Sequence, residues 1–357
     1  MRDYEDVKKS LKTMERNSLI DLLKFICSCM VVYIHTIVPF VGGVSGEIGR
    51  IISGFINPVG FFMICTAYFS FMKNFDVEKN RINRNGIGKV CRRMYALYLV
   101  WLVPYLYWAV KLNFSTETVT KTIINIITKV ILTGGTSIFW YIHAVIYALL
   151  LMAVLYNLLS RKVIVLIVCI IHILSLSGDS YYYLVKDTLV GAFAEIWLSV
   201  FDTMHVLRGP IFIFAGFEIA RNGKKIAEKI KKRNLVFIWL GFVFLQILES
   251  VIVKTNSFGL SYANYFFKPF VSASFFIVIF NCDLKLNRRI CTFLGKVSVI
   301  IYFTHQLIIR AALAVFGTVN AWILWLVCII LGIIGTAIIM KVLEYPKLTW
   351  LKRILGF

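Results

Sequence analysis

His35 is the side chain best placed to act as a base in this sequence. It lies near the end of the first apolar run, from Leu19 to Phe40, where an imidazole is costly against lipid and is expected to face a protein interior or a wet cavity. A histidine titrates near neutral pH, so it can take a proton from a hydroxyl during group transfer. The alternative is a histidine that only satisfies its own hydrogen bonds at the membrane surface.

Two charged residues share the helix face of His35. Asp21 and Lys24 are three residues apart and are therefore neighbours on a helix. His35 follows Asp21 by 14 residues, which returns the chain to nearly the same face about 21 Å further along the axis. This stripe suits a path across a membrane with chemistry at its outer end. We expect Asp21 to pair with Lys24, Arg16 or another basic group, and to contact His35 only if the helix is broken.

Ionisable side chains also interrupt the later apolar runs. They are His143, Arg208, Glu249, Lys268, His305 and Arg310. Any one of them could be a snorkelling cation or a histidine bonded to a carbonyl, but the whole set is hard to accommodate without a polar cavity. We expect His305 and Arg208 to line that cavity.

A basic cluster precedes the third apolar run. Lys89, Arg92 and Arg93 lie just before Met94, at the mouth of the span that follows. Such cations commonly anchor a helix at the inner membrane surface. Guanidinium groups also bind phosphate oxygens through two parallel hydrogen bonds, so the same cluster suits a phosphate-rich ligand.

Aromatic rings and carboxylates are concentrated in segment 178–202. The segment contains Asp179, Tyr181, Tyr182, Tyr183, Asp187, Glu195 and Trp197. The rings are typical of an interfacial aromatic belt, and the alternative is a platform on which a sugar stacks while carboxylates bond its hydroxyls. Residues 116–133 carry apolar side chains at helical spacing and predict an amphipathic helix on the outer membrane surface.

Membrane-spanning helices must position all of these side chains. The chain is 59% hydrophobic with a mean hydropathy of +0.80, and apolar runs long enough to cross a bilayer recur throughout. We predict an all-α polytopic membrane protein with about ten spans: 19–40, 51–71, 94–112, 137–159, 163–177, 203–220, 234–253, 262–282, 297–316 and 321–343. We expect an N-terminal segment 1–18, a transmembrane domain 19–343 and a tail 344–357, with no cleaved signal peptide and no further outer domain.

The placement of charge predicts the orientation. The predicted inner segments hold 28 lysines and arginines and the outer segments hold 5, so both termini are expected in the cytoplasm. This topology accounts for the net charge of +21 without a continuous basic face, which excludes a nucleic-acid partner. The eight cysteines show no metal-ligand spacing, so we expect reduced thiols and no bound metal.

The ordered set of motifs resembles acyltransferase family 3, a group of bacterial membrane proteins that acylate cell-surface sugars. In the first span Arg16, Asp21, Lys24 and His35 follow the family's Arg, L-D-x-L-R and closing His, with Lys24 in place of Arg. Residues 61–68 read FFMICTAY where the family has F-F-M-I-S-G-Y. Other matches are Lys89, Arg92 and Arg93 in the basic motif, Phe139-Trp140-Tyr141, Arg208, Gly216, and Leu294 to His305 in the late motif.

This resemblance implies transfer of an acyl group, most often acetyl, from cytoplasmic acyl-CoA to a hydroxyl of a cell-surface or lipid-linked sugar outside a bacterial plasma membrane. It implies four catalytic residues, namely His35, Asp21, Arg208 and His305, with His35 as the base and Arg208 as the charged donor that stabilises the oxyanion. The acyl-CoA would be held by Lys24, Lys89, Arg92, Arg93 and Arg16. The acceptor would contact Trp140, Tyr141, His143 and Glu195.

Two other classes of function fit part of the pattern. Multiple spans with buried charges also describe a transporter, such as an exporter of polysaccharide or a small solute, although carriers often show paired halves that are not visible here. A membrane-bound sugar sensor is the third interpretation, but a base and a phosphate-suited cluster would be superfluous in it. Binding of acyl-CoA would discriminate these alternatives from an enzyme.

Overall fold

Helices make up nearly all of the described chain. The computed structural model describes residues 18–41, 51, 54–76, 79–106, 120, 123–124, 126–134, 138–201, 204–282, 284, 286–345 and 351–352. Within these ranges the α-helices are α1 Ser18–Val41, α2 Pro58–Asn74, α3 Arg84–Leu102, α4 Trp140–Leu158, α5 Arg161–Ser177, α6 Tyr182–Val185, α7 Leu189–Phe201, α8 His205–Lys229, α9 Lys232–Thr255, α10 Lys268–Phe280, α11 Arg288–Phe316 and α12 Ala321–Val342. The β-structure in the same ranges is a small antiparallel hairpin, β1 Phe75–Asp76 and β2 Arg81–Ile82.

Asparagine caps determine where three of the long helices begin. The side chain of Asn83 accepts a hydrogen bond from the backbone N–H of Gly86 at 3.1 Å, so α3 starts inside the basic segment. Asn287 and Asn320 cap α11 and α12 in the same manner. The amides of the first helical turn have no partner within the helix, and a capping side chain accepts hydrogen bonds from them. These helices therefore begin before the apolar runs that hydropathy identifies.

Six described helices are long and apolar enough to cross a membrane. They are α1, α2 with the turn that precedes it, α4, α9, α11 and α12. The sharply bent pair α7 and α8 could supply a seventh span. The protein is therefore a helical membrane protein. The full set of ten spans and the cytoplasmic position of both termini remain predictions.

Several predicted boundaries are displaced from the helices that the structure describes. Helix α3 begins ten residues before the predicted span 94–112, and α11 begins nine residues before the predicted 297–316. The span expected over 262–282 contains only the 13 residues of α10. Within the predicted surface helix 116–133, residues Ile126–Leu132 form a single π-helical stretch, and much of the remainder lies outside the described residues.

The buried core lies where α2, α4 and α8 pack together, with α10 beside them. Phe71 of α2 and Phe217 of α8 have ring centres 5.1 Å apart, and both side chains are buried. Gly216 allows the close approach of α8 to α2, since a Cβ built on it would lie 2.7 Å from the carbonyl oxygen of Ile64. A second, smaller apolar cluster joins α1, α11 and α12.

Replacement of Gly216 by Val is predicted to destabilise the protein by about 1–3 kcal/mol, because the new methyl groups would collide with the backbone of α2. The measurement is the thermal midpoint of purified protein in detergent. Gly241→Ala is the control, since a Cβ on Gly241 meets nothing within 4 Å. An equal midpoint for the two variants would contradict the packing described here.

Candidate active site

A cavity of about 850 Å³ opens between α1, α2, α3 and α11 on the side predicted to face the cytoplasm. The entrance is lined by residues from the inner ends of these helices, among them Asp21, Lys24, Lys73, Asn74, Asn85, Lys89, Arg93 and Lys296. Its deep end is lined by Phe62, Cys65, Thr66, Leu97, Tyr141, Ile142, Tyr302 and Phe303. The volume is that of a site for a sizeable small molecule.

The entrance of the cavity is strongly positive. Five cations line it, namely Lys24, Lys73, Lys89, Arg93 and Lys296, against the single carboxylate of Asp21. Asp21 is buried, and the amine of Lys24 lies 3.4 Å from its Oδ1. Lys24 is thus partly neutralised by Asp21, and the entrance as a whole keeps an excess of positive charge that attracts an anionic ligand.

Two glycines shape the entrance by close approach. A Cβ on Gly86 would collide with the side-chain oxygen of Asn74, and the backbone N–H of Asn83 donates to the carbonyl of Asn74 at 2.8 Å. A Cβ on Gly295 would lie 3.0 Å from Oδ1 of Asp21. These contacts join the first turn of α3 to the last turn of α2, and α11 to α1, so the walls of the entrance are held together.

Hydroxyl groups and aromatic rings close the deep end. The Thr66 hydroxyl is 2.9 Å from the carbonyl of Phe62 and 3.4 Å from the hydroxyl of Tyr141. The rings of Tyr141 and Tyr302 have centres 5.6 Å apart, and the Tyr302 hydroxyl donates to the carbonyl of Ile138. These interactions form a polar wall of three side chains, Thr66, Tyr141 and Tyr302.

A pair of histidines lies next to this wall. The rings of His35 and His305 have centres 5.3 Å apart, and the ring of His305 lies 6.3 Å from that of Tyr302. Helix α1 is continuous from Ser18 to Val41, so His35 remains about 16 Å beyond Lys24 along the axis, counted over 11 residues. The structure therefore brings His35 and His305 together and keeps Asp21 at the entrance.

The hydrogen bonding of His305 fixes its tautomer. Its Nδ1 is 2.9 Å from the carbonyl oxygen of Ile301. A carbonyl only accepts, so Nδ1 carries the proton and Nε2 is left with a free lone pair. Nε2 is buried and has no hydrogen-bond partner within the described ranges. The arrangement offers a buried proton acceptor beside His35.

Arg208 belongs to a different polar group and does not line the cavity. Its guanidinium forms a buried ion pair with Asp179 and lies 5.8 Å from the centre of the Trp140 ring. Asp179 also accepts hydrogen bonds from the Ser261 hydroxyl at 2.7 Å and from the amide of Ala263 at 3.2 Å. Arg208 thus anchors the segment before α10, next to the first turn of α4.

Glu249 holds the same segment from α9. Its carboxylate accepts from the amide of Phe267 at 3.0 Å and from the hydroxyl of Tyr181. Burial and the hydrogen bond to this carboxylate raise the pKa of Tyr181. Together with Asp179 and Arg208, these contacts build an outer polar cluster that is separate from the cavity entrance.

The remaining predicted site residues are dispersed. Arg92 and Arg93 are both exposed, but Arg93 lines the cavity and Arg92 does not. His143 is buried with Nδ1 3.2 Å from the carbonyl of Phe139 and Nε2 3.0 Å from that of Ile131, so both ring nitrogens face backbone groups. Glu195 is exposed on α7 and accepts from Tyr182 at 2.9 Å. Arg16 lies outside the described residues.

Sequence reasoning did not assign Lys73, Lys296, Thr66 or Tyr302 to the site. The sequence predicted Lys73 and Lys296 only as positive charges on the cytoplasmic side of the membrane, although Lys296 belongs to the late motif that also contains His305. Their sequence positions carry no distinguishing signal, because only the packing of α2 and of α11 against α1 brings both lysines to one cavity. Within the described residues no group of three or more His, Cys, Asp or Glu side chains is arranged to hold a metal ion.

Comparison with known proteins gives one family and one distant relative. The model of an acyltransferase domain matches residues 17–341. An amino-acid racemase of Enterococcus faecalis is 24% identical over 236 residues, which is 65% of this chain and 31% of the racemase. The chain thus spans about a third of the length of this curated relative. No solved structure matches the chain.

Replacement of Asp179 by Asn is predicted to destabilise the protein by about 3–5 kcal/mol, since it leaves the buried Arg208 cation without its counter-charge. Thermal unfolding in detergent measures this loss. Asp187→Asn is the matched control, because Asp187 lies in the same outer segment and is exposed. If both variants unfolded at the temperature of the wild type, the ion pair would have no stabilising role.

Proposed function

This chain belongs to acyltransferase family 3, and we propose that it transfers an acyl group, acetyl first among the candidates, from cytoplasmic acyl-CoA to a hydroxyl of a cell-surface or lipid-linked carbohydrate. The proposed location is a bacterial plasma membrane with both termini inside. The observation that supports the proposal best is the cavity itself, which has a cationic entrance and a deep end next to two histidines.

The entrance suits the phosphates of coenzyme A. Lys73, Lys89, Arg93 and Lys296 converge there from three helices, and charge-assisted hydrogen bonds to phosphate are among the strongest in proteins. From Lys73 to Phe62 the cavity follows α2 for 11 residues, or about 16 Å. An elongated donor can therefore place its phosphates at the entrance and its thioester near Tyr302. Lys24 and the unplaced Arg16 would add positive charge at the same end.

The histidine pair supplies the base. In the proposed reaction His35 takes the proton of the acceptor hydroxyl as the oxygen attacks the thioester carbonyl. The new C–O bond forms, the C–S bond breaks, and the departing coenzyme A thiolate takes up the proton. His305 lies beside His35 with its Nε2 lone pair free, so the pair can hold this proton between the two steps.

The outer polar cluster would form the acceptor side. Trp140 lies against Arg208 and, at 4.5 Å between ring centres, against His205. The next residue on α4, Tyr141, lines the cavity, so the first turn of α4 connects the donor and acceptor sides. Asp179 is paired with one edge of the Arg208 guanidinium. We propose that Arg208 helps to form the acceptor site and that the other edge of its guanidinium stabilises the oxyanion.

Replacement of His35 by Ala is predicted to lower the transfer rate by at least about 100-fold, the typical contribution of a general base. Saturable binding of acetyl-CoA should persist, since His35 does not line the donor cavity. Both quantities can be measured on purified protein in detergent, by equilibrium binding of labelled acetyl-CoA and by transfer of label to a carbohydrate acceptor. Full activity of the variant would show that His35 is not the base.

The double replacement of Lys89 and Arg93 by Gln is predicted to raise the KM for acyl-CoA by roughly tenfold or more, because charged hydrogen bonds to phosphate are lost. Arg92→Gln is the matched control, since Arg92 is on the same helix but outside the cavity. Equal effects of the two changes would indicate only a general electrostatic attraction. Failure of well-folded wild-type protein to bind any acyl-CoA would overturn the proposed function and favour a transporter.

A further inference from the structure

We propose that Thr66 limits the acyl group to a short chain of two or three carbons. This inference rests on the proposed function, because it concerns the end of the cavity at which the acyl group of a bound acyl-CoA would lie. Thr66 lines the deep end of the cavity, its side chain is held in one position, and the rings beside it are held by partners on other helices.

Thr66 lies at the deep end of the cavity. It is on the stretch of α2 that ends at Phe62, seven residues from Lys73 at the entrance, which is about 10 Å of helix. Its side chain is partly accessible only because it faces the cavity, and its neighbours Cys65 and Ala67 are buried. A donor with its phosphates at the entrance lysines would bring its acyl end towards Thr66.

The Thr66 side chain is held in one position. Its hydroxyl donates to the carbonyl of Phe62, one helical turn earlier, at 2.9 Å. The same oxygen lies 3.4 Å from the hydroxyl of Tyr141. A threonine bonded in this way has few rotamers available, so its methyl group occupies a fixed volume in the cavity.

The groups behind Thr66 are fixed as well. The ring of Tyr141 lies 6.4 Å from that of Phe62 and 5.6 Å from that of Tyr302, and the hydroxyl of Tyr302 is bonded to the backbone of Ile138. Each ring is thus held by a partner on another element. A longer acyl chain would have to displace several linked groups, whereas a short one needs no rearrangement.

The volume of the residue at position 66 should therefore set the acyl-chain preference. Thr66→Ala removes the methyl and the hydroxyl while keeping a good helix former. Thr66→Val retains the volume and removes only the hydroxyl. The two variants separate a steric role from a hydrogen-bonding role.

The test compares acetyl-, propionyl-, butyryl- and hexanoyl-CoA as donors and as ligands. For the wild type we expect kcat/KM to fall steeply beyond propionyl. In Thr66→Ala the kcat/KM for butyryl-CoA divided by that for acetyl-CoA should rise about tenfold, which is the lower range of discrimination per methylene in a pocket. Thr66→Val should keep the wild-type ratio.

Thr336→Ala is the matched control. The Thr336 hydroxyl donates to the carbonyl of Gly332 at 2.7 Å, one turn earlier on α12, and Thr336 does not line the cavity. This change should leave the chain-length ratio at the wild-type value. A shift equal to that of Thr66→Ala would show a general loosening of the protein and overturn the proposal.

The outcomes separate this inference from the proposed function. Absence of binding for every acyl-CoA would overturn both. Equal use of acetyl- and hexanoyl-CoA by the wild type, or an unchanged ratio in Thr66→Ala, would overturn only the role of Thr66. Equal use of the two donors by the wild type would overturn the role of Thr66 even if Thr66→Ala does not fold.

Discussion

A charged side chain among apolar helices must be paired with an opposite charge or exposed to water, and this constraint determines where the polar groups of the protein lie. Asp179 and Arg208 satisfy it by pairing in a buried site, where loss of either partner would be costly. Lys73, Lys89 and Arg93 satisfy it by facing an open cavity. The two solutions occupy different regions, so the structure has an anion-attracting entrance and, away from it, a charge-balanced cluster.

The separation of these regions has a consequence for chemistry. A ligand at the entrance is attracted by charge, but the deep end offers only hydroxyls, a thiol and rings. The thioester of a donor would thus leave the charged region before it met a nucleophile. His305 lies beside Tyr302 at this end and beside His35, and α1 carries both the entrance carboxylate Asp21 and His35.

Close packing of the helices fixes the position of the cavity relative to the outer polar cluster. Gly216 allows α8 to approach α2, and α8 carries Arg208 while α2 carries Thr66. Helix α4 contributes Trp140 to the outer cluster and Tyr141 to the cavity. A displacement of α4 would therefore move Trp140 and Tyr141 together.

The sequence alone determined the membrane class and the family, because hydropathy and ordered motifs are local properties of the chain, and it also predicts His35 as the base. The approximate positions of most helices followed from the same signal, whereas the starts of α3 and α11 depended on asparagine caps outside the apolar runs. Only the tertiary structure placed Arg93 in the cavity and Arg92 outside it, paired Arg208 with Asp179, and brought His305 to His35. These are contacts between residues far apart in the chain, and they depend on the rotation of each packed helix, which no local pattern of residues specifies.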